Sequence, residues 1–432
     1  MTDSNRTTLP SIPGPHDVVR HELDNGATIL VRENHASPSV VIDGLLRAGA
    51  ADTAPEKAGL ASFTAAALLR GAGKRIFSQI FEDMESIGAS LSFSAGQHTT
   101  EFSGQCLSED LDLLLDILRD ALLAPTFPAE QLEKLRGQII TGLQIRASDT
   151  RSMARLEFFK LAYPSDHPYS RSADGTVETV SGITRQDIVS FHQQHYGAGG
   201  MIISLVGDLD PAAVVRKLDA KLGDTPVLQK PSSELPSLVP LTGVQQRYVP
   251  LPGKTQSDIV LGIPGPSRAV DDFLHARLAN TILGVFGLYG RLGASVRDDQ
   301  GLAYYAYSQL TGGLGPGPWR ISAGVNPANV SQAALSMRDE IRRLQAEPVP
   351  PEELADNKSY LVGSLPLHLE TNSGVSETLV NMELYRLGLD YLQRYPQMMM
   401  QITADQVQAA ALKYLSADTY AMAVAGPPGG DE

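Results

Sequence analysis

The segment Ile188–Asp210, IVSFHQQHYGAGGMIISLVGDLD, decides the fold, because Val407–Pro428, VQAAALKYLSADTYAMAVAGPP, is built on the same plan. Each reads as a helical stretch, an aromatic residue, a short polar turn and an apolar strand that closes in glycine. The openings of the two halves correspond as well. Arg20–Ala50, RHELDNGATILVRENHASPSVVIDGLLRAGA, and Gln246–Pro266, QRYVPLPGKTQSDIVLGIPGP, both set an extended apolar run ahead of a helix-rich region. Two copies of one αβ unit account for this repetition. Between them Gly223–Gly243, GDTPVLQKPSSELPSLVPLTG, is rich in Pro and Ser and lacks helical periodicity, as an extended linker does. The expected organisation is a domain over 1–222, a linker over 223–243 and a second domain over 244–432.

Within the first half, Leu111, Leu114, Leu115, Ile117, Leu118 and Leu122 form a broad apolar face at helical spacing. A second helix is expected from near Pro128 through EQLEKLRGQIITGLQ, since proline is tolerated in a first turn. Short strands such as SLSFSAG and LAYYAYSQL sit in hairpin-like contexts between helices. That arrangement favours an α+β fold, with largely antiparallel sheets packed by helices, over a doubly wound nucleotide fold. The loop TGGLGPGPW reads as a strand connection, with Trp319 opening the second strand.

A chain of 432 residues can bury more than one core. With 42% hydrophobic and 19% charged residues it has ordinary globular usage, which excludes disordered and collagen-like classes. The start, MTDSNRTTLPSIPGPHD, shows no basic segment leading into an apolar one, so neither a signal nor a transit peptide is expected. No apolar run approaches the roughly 20 residues that span a bilayer. Cys106 stands alone, which leaves no internal disulfide or cysteine-based zinc cluster and suits a reducing, cytoplasmic setting. The formal net charge of −14 disfavours nucleic acid and anionic membrane as partners, and no basic patch shows along the chain.

Several phrases carry a resemblance: RAGAADTAPEKAGLASFTAAALLRGA, IGASLSFSAG, LAPTFPAEQLEKLRGQIITGL, HPYSRSADGTVETVSGIT, FHQQHYGAGGMIISLVGDL, NTILG and VRDDQGLAYYAYS. Together they span nearly the whole chain. The sequence resembles the pitrilysin family of zinc peptidases, the inverzincins, which includes insulin-degrading enzyme, the mitochondrial processing peptidase and bacterial two-subunit enzymes. The resemblance implies two homologous αβ domains that form half of a clamshell around a peptide chamber.

Active members carry H-x-x-E-H on a helix, two His binding zinc and the Glu acting as general base. Laid against that motif, this chain has Ser62 and Ala66 at the histidines and Ala65 at the base. The third ligand, a Glu on the later helix, falls on Gly142. Methyl groups and one neutral hydroxyl do not replace imidazole and carboxylate, so no zinc-bound water would form here. The Ala-rich run Ala61–Leu69 is also simply a good helix former that lets neighbours approach closely.

The second half keeps what the first has lost. The family's Arg and Tyr, seven residues apart, match Arg297 and Tyr304 in VRDDQGLAYYAY. The resemblance implies that Tyr304 hydrogen-bonds the oxyanion and Arg297 orients substrate backbone at a zinc site. A phenol donor strengthens as charge develops on oxygen, and a guanidinium offers a planar fork. A plainer alternative makes Arg297 an ion-pair residue beside Asp298 and Asp299, and Tyr304 a packing residue. On the strand, Leu302, Tyr304 and Ala306 are expected to share one face, with Tyr305 and Tyr307 on the other.

The expectation is a non-catalytic subunit, inactive alone, that supplies Arg297 and Tyr304 to a homologous partner bearing H-x-x-E-H, with zinc in the partner, no cofactor in this chain and a peptide as substrate. A peptide-binding scaffold of the core-protein kind is the alternative. A third reading relocates a metal to His192 and His195, one helical turn apart, with Asp187 adding an oxygen. His98 and His167 read as surface or hydrogen-bonded core groups. The strand SLSFSAG corresponds in the family to the edge that accepts an extended peptide. The glycines of LGVFGLYG lack the pattern of a phosphate loop and suit close packing or a hinge.

Overall fold

The computed structural model of the chain describes residues 12–228, 235–285 and 290–428. Of the glycine-spaced stretch Leu283–Gly290, residues 286–289 lie outside the described residues. The first sheet has six strands, in the order Val19–Glu22, Thr28–Glu33, Ile202–Gly207, Ser39–Leu46, Thr100–Leu107 and Ser90–Ala95. The second has five, in the order Gln245–Pro250, Ala421–Gly426, Ser257–Pro264, Pro318–Val325 and Ala303–Leu310.

Read from the Thr28–Glu33 and Gln245–Pro250 ends, the two sheets repeat one topology. In each, this strand runs parallel to the last strand of its half, and every other neighbour in the repeated five is antiparallel. Only Val19–Glu22, paired antiparallel to Thr28–Glu33, has no counterpart in the second sheet. The α+β class and the internal duplication are thus explicit in the strand order.

The strands Ile202–Gly207 and Ala421–Gly426 are buried at every residue. Uninterrupted apolar strands of this kind need cover on both faces of the sheet. Part of that cover comes from an exchange. Helix Asn372–Leu384, from the second half of the sequence, sets Val375, Leu379 and Val380 against Leu30, Leu45, Ile202 and Val206. Helix Thr150–Ala162, from the first half, sets Ala154, Phe158 and Ala162 against Val260, Ala421, Ala423 and Ala425.

The compact units are accordingly Met1–Gly137 with Thr179–Ser233 and Val362–Gln397, and Gln138–Glu178 with Glu234–Leu361 and Met398–Glu432. A division at 223–243 separates the strands of the two sheets but not the helices that cover them. The helix Leu111–Leu123 buries each of the six residues named from its periodicity, together with Ala121. Ala129–Arg146 follows it directly after Pro128. Among the described residues no helix is long and apolar enough to cross a membrane.

Candidate functional site

In the first unit, the degenerate motif lies on helix Leu60–Ala67, which Gly59 opens with φ of 97°. A left-handed residue ahead of a helix suits glycine, which has no Cβ to clash. Ala65 is 1% exposed and Phe63 fully buried, while Ser62 is half-buried and Ala66 exposed. The Arg136 guanidinium lies 5.2 Å from the Phe63 ring centroid. The alanines therefore pack the helix tightly on one side and leave only the Ser62 hydroxyl as a donor atom among the motif positions.

Gly142 belongs to the second unit, on helix Ala129–Arg146, with open space around the position a Cβ would occupy. Ser62, Ala65, Ala66 and Gly142 together offer no imidazole, carboxylate or thiolate, so they do not fit a zinc ion. Among the described residues no group of three or more His, Cys, Asp or Glu side chains comes together in a way that could hold a metal.

The relocated-metal reading fails on particular partners. His192 Nε2 donates to the Leu122 carbonyl at 2.8 Å, and its ring leans on Tyr196 and Phe127. Burial pulls its imidazole below the usual histidine value. Asp187 caps its own helix through Thr184 and pairs with Lys57 at 2.7 Å. His195 packs on Phe191, with ring centroids 4.6 Å apart. These are structural attachments. His167, fully buried between Tyr163 and Tyr169, accepts from the Tyr169 N–H through Nδ1 and is likewise a core group.

In the second unit, Arg297 lies in the π-helical turn Gly293–Asp299. Such wide turns recur at functional sites because they displace side chains from the regular helical positions. The turn ends through Gly301, φ 61°, whose N–H donates to the Arg297 carbonyl at 2.9 Å. This left-handed cap swings the chain straight into the strand Ala303–Leu310. The phrase RDDQGLAY is thus one corner from helix to strand, which accounts for its glycine. Arg297 is half-buried, and among the described residues its guanidinium takes part in no hydrogen bond or ion pair.

Tyr304 falls on a β-bulge. Ala303 is opposite Val325 and Tyr305 opposite Gly324, so Tyr304 is the extra residue, without a partner in the ladder. It is 70% exposed, and its hydroxyl has no hydrogen-bond partner among the described residues. This corrects the expected alternation: Ala306 is fully buried, and Tyr304 does not share its environment. Bulges re-aim side chains in this way at sheet edges and active sites.

The neighbouring Tyr305 is its opposite. Its hydroxyl donates to Asp258 and accepts from Arg151 Nε at 3.1 Å, and the Arg151 guanidinium lies 4.1 Å from its ring centroid. Asp258, 2% exposed, accepts also from Thr150 Oγ1 at 2.5 Å and from the Gln256 amide. Burial, and then the adjacent Asp258 charge, hold the Tyr305 hydroxyl well above the ordinary phenol value, so it stays a donor. Gly324 leaves room for its ring, since a Cβ there would meet it. Nothing in the local pattern around Tyr305 marks this tether; its partners come from positions 150, 151, 256 and 258. The edge strand Ser90–Ala95, opposite Thr100–Leu107, ends its own sheet and packs beside Leu60–Ala67.

Fold and residues together define a duplicated peptidase-like αβ protein whose metal-binding positions hold no ligand. The model of the insulinase domain of peptidase family M16 matches residues 28–162, and that of the peptidase M16 inactive domain matches 182–361. The chain belongs to peptidase family M16, the pitrilysin family. It is 26% identical over 388 residues to an uncharacterized zinc protease of Streptomyces coelicolor, covering 87% of this chain and 83% of the relative. A peptidase M16 inactive domain from Pseudomonas fluorescens superposes with a TM-score of 0.87 at 26% identity, over 96% of this chain and 99% of that one. A protease from Helicobacter pylori shares the fold with a TM-score of 0.88 at 18% identity, over 96% and 100% of the two chains.

Proposed function

We propose that this chain is the non-catalytic subunit of a two-subunit zinc metallopeptidase. It forms part of a peptide chamber and presents Arg297 and Tyr304 to the zinc site of a homologous partner that carries H-x-x-E-H. The observation that supports this most directly is the contrast within one chain. The metal-binding positions are filled by alanine, serine and glycine, whereas Tyr304 is displaced by a bulge and exposed, one glycine-capped corner from Arg297, and among the described residues neither its hydroxyl nor the Arg297 guanidinium has a partner. A packing tyrosine would be covered, and an ion-pairing arginine would hold Asp298 or Asp299. In the complex the Tyr304 hydroxyl donates to the oxyanion of the tetrahedral intermediate, and the Arg297 fork orients the substrate backbone.

Mixing this chain with a zinc-bearing homologue from the same cells is expected to yield zinc-dependent peptide cleavage that neither chain shows alone. Tyr304→Phe in that complex lowers kcat by roughly a hundredfold, the loss typical of one oxyanion donor. Unaltered kcat in an assembled Tyr304→Phe complex removes the catalytic role. Absence of cleavage with any zinc-bearing homologue favours a peptide-binding scaffold instead.

A further inference from the structure

Arg320, on the strand Pro318–Val325, is 8% exposed. Its Nη2 donates to the Gln309 amide oxygen and its Cζ lies 5.9 Å from the Phe159 ring centroid; among the described residues no carboxylate pairs with it. Burial pulls its guanidinium below the usual value, Tyr307 opposes this, and the charge of Arg155 adds to it. A buried cation without a counter-charge is strongly unfavourable. Its retention points to an anion that arrives from outside the chain.

The surroundings are suited to one. Across the two outer strands Tyr305 is opposite Gly324, Tyr307 opposite Ser322 and Gln309 opposite Arg320, so these side chains share a face of the sheet. Helix Thr150–Ala162 brings Arg151 and Arg155, one turn apart, to the same face. Asp258 offsets Arg151 by way of Tyr305. Glu157, the nearest acid on the helix, is engaged by Arg247 and by Lys160 at 3.0 Å. Arg155 is exposed and forms no ion pair among the described residues. Two guanidinium groups without a carboxylate partner among the described residues remain, Arg155 exposed and Arg320 buried, in a chain whose net charge is −14.

We propose that Arg155 and Arg320, flanked by Tyr307 and Gln309, form a site for a carboxylate group. A planar guanidinium fork matches a carboxylate side-on. A single carboxylate also meets less repulsion from the acidic chain than a polyphosphate would. The carboxylate comes either from a small free acid or from an acidic side chain of an extended peptide laid along Ala303–Leu310, which ends its sheet. The site does not depend on any catalytic role of Arg297 or Tyr304.

Titration calorimetry on the full chain tests it with glutarate, with an acetylated and amidated heptapeptide holding one central Glu, and with the Gln counterpart of that peptide. At least one carboxylate probe is expected to bind, the Gln peptide to bind at least tenfold more weakly than the Glu peptide if the peptide is the ligand, and Arg155→Gln and Arg320→Gln each to weaken binding about tenfold. Saturation by glutarate alone assigns a free small acid; saturation by the Glu peptide alone assigns a peptide side chain. Arg155 is exposed, so its variant keeps the fold and decides the matter if Arg320→Gln does not fold. No saturation by either carboxylate probe, equal binding of the Glu and Gln peptides without glutarate binding, or unchanged affinity in Arg155→Gln overturns the proposal.

Discussion

The Tyr305 hydroxyl donates to Asp258, two strands away in the same sheet, while the adjacent Tyr304 stands on a bulge with its hydroxyl free among the described residues. Two neighbouring tyrosines thus do opposite things. The half-buried one ties the start of the edge strand to Asp258, next in the chain to the exposed one. Under the role proposed for Tyr304, such a tether is favourable, because an oxyanion donor contributes most when its position is set before the substrate arrives.

The two tyrosines are therefore expected to separate stability from activity. Tyr305→Phe leaves the Asp258 carboxylate one donor short in the interior and lowers unfolding free energy by about 1–3 kcal/mol. Tyr304→Phe removes an exposed hydroxyl that has no partner among the described residues and changes stability by less than about 0.5 kcal/mol. Denaturant unfolding of the isolated chain checks both. Equal destabilisation by the two variants contradicts the division of labour.

The repeated strand order was legible because it is written locally: Ile202–Gly207 and Ala421–Gly426 are continuous apolar runs, each preceded by a helix and a turn. The exchanged helices were not, since the apolar residues of Thr150–Ala162 and Asn372–Leu384 state that a face is buried but not which sheet buries it. Arg297 and Tyr304 were singled out by resemblance to the family's Arg/Tyr phrase, and their roles remain the proposal made above. The bulge could not be found in the sequence, because alternation is read from a strand assumed to be regular, and the Tyr305 tether that accompanies it joins residues 47 positions apart. Arg155 and Arg320 form a basic pair only after a helix and a strand from different halves of the sequence meet.

The lost motif positions differ in what they now tolerate. Ala65, 1% exposed beside fully buried Phe63, has no room to solvate a carboxylate. Ala65→Glu is expected to destabilise the chain by about 3 kcal/mol or more. Gly142 faces open space on an exposed part of its helix. Gly142→Ala is expected to stabilise by up to about 1 kcal/mol through helix propensity, and Gly142→Glu to be tolerated. Thermal and urea midpoints measure these effects; an Ala65→Glu protein as stable as the parent shows that the helix is not closed over that position.

Histidines shape the acid limb of stability. Burial lowers the imidazole pKa of His192, His167 and His275 in the folded chain relative to their ordinary value of 6.5. At pH just below 6.5 the unfolded chain therefore binds more protons than the folded one, and stability falls as pH falls. Their contribution is complete above about pH 6.5 and is lost progressively as pH drops toward the depressed folded values. His192→Gln, which keeps a donor for the Leu122 carbonyl, is expected to flatten part of this limb and leave the rest to the other two. A His192→Gln profile that parallels the parent from pH 7 to 5 removes His192 from the account.

The exchanged helices predict how the chain behaves when cut. A fragment 1–222 keeps helix Thr150–Ala162 but not the sheet residues Val260, Ala421, Ala423 and Ala425 that its Ala154, Phe158 and Ala162 cover. A fragment 244–432 keeps that sheet without the helix, and keeps Asn372–Leu384 without the Leu30, Leu45, Ile202 and Val206 beneath it. Each piece alone exposes an apolar sheet or helix face, so each is expected to lack a cooperative unfolding transition, while the two mixed together regain one. In the intact chain Phe158→Ala, emptying a fully buried position of the same contact, is expected to lower stability by about 3–5 kcal/mol. A sharp, reversible melt from either fragment by itself means that the sheets do not depend on the borrowed helices, and the cut at the linker would then be a true boundary between independent folding units.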